Sequence, residues 1–172
     1  MNKDYKIQSQ GRTANISGQK AELSAKEILF ESGLESKRLK YRAANSHESC
    51  GLKKTDHYVE SLQLVVECKH QDVSGTADQK LENEIHNATI NFSDANTIYQ
   101  GIKKIRHYVI LLSGKHWDKE TNQHKVENAR LLIKKFKSHP ETFMGDLETI
   151  DIIYKEQFPN YLEKIKNNLT FQ

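Results

Sequence analysis

The constraint that most limits how this chain folds is a spacing of charges around a turn. Thr55-Asp56 opens one strand-like pattern, and ten residues separate Asp56 from Glu67 in the run Val65-Val66-Glu67-Cys68-Lys69. A hairpin turning about Ser61-Leu62 sets Asp56 directly opposite Glu67. Because side chains alternate along a strand, Lys69 projects from the same face as Glu67. A slip of one residue would throw Glu67 and Lys69 to the other face, so the register carries the chemistry. Two acids about 5 Å apart at an effective dielectric of about 20 repel by roughly 3 kcal/mol. A divalent cation between them removes that cost. Asp56, Glu67 and Lys69 therefore read as a metal site of catalytic type.

The rest of the chain supplies a scaffold for such a hairpin. Residues 1–17 are polar and aperiodic and are expected to form a loose arm. From Gly18 to about Ser32, Ala21, Ala25, Ile28 and Leu29 mark one face of a helix that ends near Gly33. Arg38 to Ala44 reads as a short strand and Asn45 to Gly51 as a polar loop, ahead of the hairpin. Thr76 with Gln79 forms a capping-box pattern that opens a helix with Ala77, Leu81, Ile85 and Ala88 inward. The run Tyr108-Val109-Ile110-Leu111-Leu112 predicts a strand buried on both faces. After a turn over Ser113–Trp117, the pattern predicts a helix over Lys119–Ser138 stopped by Pro140, then a strand over Leu147–Tyr154. A closing helix carries Tyr161, Leu162, Ile165 and Leu169, with Pro159 in its first turn. A helix between the Glu67 strand and the 108–112 strand is long enough for a parallel crossover. The fold class expected is α/β, with a mixed sheet, antiparallel at the hairpin and parallel beyond, and helices on both faces.

At 172 residues, 36% hydrophobic and 28% charged, the chain is expected to be a single soluble domain. No apolar run reaches bilayer-spanning length, and the first residues lack an apolar signal core. Cys50 and Cys68 give no disulfide framework and fit free thiols in a reducing cytoplasm. The eight histidines never take up zinc spacing with each other or with the cysteines. Cys68 lies on the strand face opposite Glu67, which favours a packed thiol over a nucleophile. His70 is expected to be exposed, and Tyr108 and Trp117 to be core aromatics. A net charge of +3 is modest, but Lys37-Arg38-x-Lys40-x-Arg42, Lys53-Lys54, Lys103-Lys104-x-Arg106 and Lys134-Lys135-x-Lys137 are local basic clusters. Beside a metal-type site, they point to a polyanionic substrate.

The set Asp-x10-Glu-x-Lys on a hairpin, between a preceding helix and a crossover helix, resembles the PD-(D/E)XK, or restriction-endonuclease-like, nuclease superfamily. Asp56 matches the first acid, Glu67 the second and Lys69 the lysine, while Thr55 stands where the family has proline. The family often adds an acid from the preceding helix, and Glu22 is the best-placed match, with Glu27 and Glu31 as fallbacks. The resemblance covers roughly residues 19 to 113. It implies a restriction-endonuclease-like core over residues 18–113, with residues 114–172 serving specificity or dimerisation. It also implies Mg²⁺, or Mn²⁺ in its place, held by Asp56, Glu67 and the backbone carbonyl of Cys68. Lys69 would hold a water, stabilise the transition state or act as general base. Gln71, Lys80, Lys54 and Thr76 are candidate phosphate contacts, Thr76 through the free N–H groups of a helix start.

The activity this implies is Mg²⁺-dependent hydrolysis of double-stranded DNA by a homodimer whose two sites address opposite strands. Within that class a type II restriction endonuclease is favoured. A repair, recombination or phage nuclease such as a junction resolvase, and a DNA-binding module that has lost turnover, are the alternatives.

Overall fold

The computed structural model describes residues 3–42, 52–72, 77–92, 98–99 and 105–170. In chain order the elements are α1 (Lys3–Glu31), β1 (Lys40–Arg42), β2 (Lys53–Lys54), β3 (His57–Val59), β4 (Leu64–His70), α2 (Ala77–Phe92), β5 (Ile98–Tyr99), β6 (His107–Ser113), α3 (Lys115–Asp118), α4 (Glu120–Lys137), α5 (Pro140–Phe143), β7 (Thr149–Tyr154) and α6 (Phe158–Thr170). The main sheet runs β3-β4-β6-β7, with β3 antiparallel to β4 and both β4–β6 and β6–β7 parallel. The chain is thus α/β with a mixed sheet flanked by helices. A second small sheet, β2-β1-β5, is antiparallel throughout.

The hairpin forms in the expected register. His57 pairs with Val66, Tyr58 with Val65 and Val59 with Leu64. A short 3-10 turn over Glu60–Leu62 reverses the chain, closed by the N–H of Gln63 donating to the Glu60 carbonyl at 3.1 Å. Gln63 itself takes the left-handed conformation, φ 48°. Its carbonyl then accepts the N–H groups of Arg106 and His107, so the hairpin turn also sets where β6 begins.

Two apolar clusters sandwich the sheet. On one face Leu81, Ile85 and Ala88 of α2 and Val126, Ala129 and Ile133 of α4 pack on Tyr108, Ile110 and Leu112. On the other, Ala25 and Leu29 of α1 with Phe158 and Leu162 of α6 cover Leu64, Val66, Val109 and Leu111. This explains the unbroken apolar run of β6, since both of its faces are inside. β7, lying past residue 113, completes the same sheet rather than forming an appendage.

Several expectations are corrected. α1 begins at Lys3 rather than Gly18, so the segment expected as a loose arm is helical. The segment 113–117 contains a helical turn, α3, which buries Trp117. His70 is held rather than exposed: its ring bonds Ser113 Oγ at 3.1 Å and Asp72 Oδ2 at 3.0 Å. Cys50, the loop at 45–51, Thr76 and Lys103-Lys104 lie outside the described residues.

Candidate active site

The three hairpin residues converge. Asp56 follows Thr55, whose position is set twice by Leu39: the Thr55 N–H donates to the Leu39 carbonyl at 3.0 Å, and the Leu39 N–H donates to Thr55 Oγ1 at 3.1 Å. Thr55 is 1% exposed, so these bonds are shielded from water. One residue beyond the last ladder pair, Asp56 Oδ2 accepts the backbone N–H of Cys68 at 2.8 Å. Its carboxylate also meets that of Glu67, with which it shares a hydrogen bond. Burial first, then the charge of Asp56, pushes the Glu67 carboxyl up to about 9. At neutral pH this acid keeps a proton unless a cation compensates it.

Lys69 lies alongside. Its Nζ is 3.8 Å from Glu67 Oε2 and 2.7 Å from Oε2 of Glu84, on α2. Burial works against the Lys69 ammonium, but Glu84, Glu67 and Asp56 outweigh it and hold its pKa above the usual lysine value. The other oxygen of Glu84 accepts the Tyr108 hydroxyl at 2.6 Å. Glu84 was not among the residues singled out from the sequence. The signal was present, because Glu84 shares a helix face with Leu81 and Ala88, the inward stripe of α2, where an unpaired charge is costly.

Glu22 is only near the site. Its carboxylate bonds Arg38, and its backbone carbonyl meets His57 Nε2 at 2.9 Å. A carbonyl only accepts, so His57 carries its proton on Nε2, and burial lowers its pKa. Glu27 and Glu31 are exposed. A cleft of about 390 Å³ opens beside Asp56, lined among others by Glu22, Lys26, Lys37, Arg38 and His57. A second, of about 270 Å³, lies at Lys69, with Cys68, Gln71, Leu81 and Trp117 in its walls. Gln71 sits one residue past β4, its backbone bonded to Ser113 and His116. Lys54 is exposed on β2 opposite Lys40. Lys80 falls in the first turn of α2, and its side chain is outside what the structure describes. Cys68 is a free, part-buried thiol packed against the α1–α6 face, its pKa raised by burial and by the neighbouring carboxylates.

The donor set suits a hard divalent cation. Asp56 and Glu67 are two oxygen ligands whose mutual repulsion is relieved by a proton and would be relieved by a metal ion. Among the described residues no group of three or more His, Cys, Asp or Glu is arranged to hold an ion. Asp56 and Glu67 are the residues that could hold an ion such as Mg²⁺, which binds through one or two carboxylates and keeps waters and phosphate oxygens as its other ligands. Among the described residues no helix is long and apolar enough to cross a membrane. No family model matches the sequence, and no curated protein or solved structure matches it either.

Proposed function

We propose that this protein is a Mg²⁺-dependent endodeoxyribonuclease with a restriction-endonuclease-like core, acting on double-stranded DNA as a homodimer, most simply as a type II restriction endonuclease. The observation that carries this reading is the shared register of Asp56, Glu67 and Lys69 on one hairpin. The α2 crossover behind them makes β6 parallel to β4. Asp56 and Glu67, with the Cys68 carbonyl, would hold Mg²⁺ or Mn²⁺. Such an ion, when bound, polarises a phosphoryl oxygen and lowers the pKa of an attacking water. The chain's own residues do the remaining work. Asp56 is anchored by the Cys68 N–H, so its charge stays aimed at Glu67. Lys69 supplies a positive charge beside the carboxylates, where negative charge builds on the phosphate in the transition state. Lys26, Lys37 and Arg38 line the cleft next to Asp56 and give a phosphate backbone cationic neighbours.

The test is purified native protein with Mg²⁺ and a phage genome, beside Asp56→Ala and Lys69→Ala. Discrete bands from the native protein and none from the variants support the reading. Equal nicking by all three would defeat it. Cleavage of branched DNA only would redirect it to a junction nuclease.

A further inference from the structure

A lysine on a sheet face has a long flexible stem, and it is useful to a reaction only if something holds its ammonium in one place. Glu67 does not do this alone, since at 3.8 Å it is beyond close hydrogen-bond reach. The close partner is Glu84 at 2.7 Å. Glu84 comes from the crossover helix rather than from the hairpin, and it is itself oriented. Its Oε1 is taken by Tyr108, a 1%-exposed residue of β6 whose ring packs on Phe92 at 5.4 Å between centroids. The two carboxylate oxygens thus have separate duties, one to the core phenol and one to the ammonium. A chain of contacts runs from the packed interior through α2 to the site.

We infer that Glu84, oriented by Tyr108, is the positioning residue that fixes where the Lys69 ammonium stands. The inference rests on the nuclease reading for its purpose and on the geometry alone for its existence. Glu84 acts through Lys69. Its loss is expected to lower turnover while leaving DNA affinity nearly unchanged.

The experiment compares the native chain with Glu84→Gln, Glu84→Asp, Tyr108→Phe and the Glu84→Gln/Tyr108→Phe double variant. Lys69 is labelled by reductive methylation with formaldehyde and borohydride, read by mass spectrometry, with exposed Lys164 as internal reference. Freed from a charge-assisted hydrogen bond, Lys69 in Glu84→Gln should label roughly tenfold faster relative to Lys164. Tyr108→Phe should show a smaller rise, and none on top of Glu84→Gln, because the phenol works through the carboxylate. Glu84→Asp should recover part of the protection. In cleavage assays kcat should fall by about tenfold in Glu84→Gln, with KM for DNA within about twofold of native. Unchanged Lys69 labelling in a folded Glu84→Gln protein overturns the inference, whatever the cleavage result. If Glu84→Gln does not fold, Tyr108→Phe and Glu84→Asp decide it by the same criterion. Faster labelling in the variants with no cleavage by the native chain leaves the positioning role standing and removes the nuclease reading.

Discussion

Asp56 and Glu67 stand across from each other one residue beyond the His57–Val66 pair, and their carboxyl groups meet. The Cys68 N–H keeps Asp56 from turning away, and burial together with the charge of Asp56 pushes the Glu67 carboxyl up. A fold gains nothing in stability from holding two acids this way. On the proposed reading, a divalent cation between the two carboxyl groups removes the cost of their repulsion.

Glu67→Gln is therefore expected to stabilise the metal-free protein. The sign follows from the raised pKa: between the ordinary carboxylate range and about 9, the native state holds a proton that the unfolded chain has released. That penalty grows as pH rises through this window and is absent below it. In EDTA at pH 8 the variant should gain on the order of 2 kcal/mol, with the gain gone near pH 4. Mg²⁺ should raise the melting temperature of the native protein and not that of Glu67→Gln. Denaturant titrations and thermal scans at the two pH values check both statements.

Thr55→Pro, which would restore the residue that the resembled family carries, should destabilise this chain. The Thr55 N–H and Oγ1 satisfy the carbonyl and the N–H of Leu39, and proline supplies neither group. Two shielded backbone groups left unpaired should cost about 2–4 kcal/mol. Thr55→Ser keeps both bonds and should stay within about 1 kcal/mol of native. Urea midpoints with unchanged slopes decide the matter.

The hairpin register was legible in the sequence because alternation and a compact turn leave one way to put Asp56 across from Glu67. β6 was legible because a strand covered on both faces needs an unbroken apolar run. What escaped were features decided by distant partners. β2 and β5 are two-residue strands that exist through pairing with β1. The half-buried His70 is held by Ser113 and Asp72. Glu22 points into the right neighbourhood, yet it is taken by Arg38, a partner that no helical spacing reveals. Glu84 was recoverable as a charge on an inward stripe, but that pattern names a buried carboxylate without naming Lys69 as its partner. The start of α1 escaped for another reason: its first turns lack the apolar periodicity that marks a helix packed on a core.

Gly114→Ala should be costly although it adds a single methyl group. Gly114 has φ +99°, and a Cβ there would lie 2.4 Å from the Gln71 carbonyl oxygen. Both the backbone conformation and the close approach demand glycine, so a loss of about 2–4 kcal/mol is expected. The strain enters where β4 ends, two residues from Lys69. Hydrogen exchange should therefore quicken at Gln71 and His116, whose N–H groups donate to Ser113 and Gln71. Unchanged stability would mean that the β4–β6 ends are held less closely than the structure has them.

His107 should make the fold acid-sensitive. It is 8% exposed, with Nδ1 within 3.1 Å of Thr149 Oγ1 and Nε2 3.9 Å from Glu148. Burial lowers its pKa most, Arg106 adds to that, and Glu148 and Asp151 oppose it without prevailing. Below about pH 6.5 the unfolded chain takes up a proton that the native ring refuses. The neutral ring's contribution is thus fully present above that pH and is lost as pH falls through the lowered native value. His57, lowered chiefly by burial, contributes in the same direction. His107→Gln should accordingly reduce, without abolishing, the decline in stability between pH 6.5 and 5, and adding His57→Gln should flatten it further. Chemical denaturation at half-unit pH steps measures the slope directly, and a slope unaffected by either change would show that neither ring is neutral in the native state.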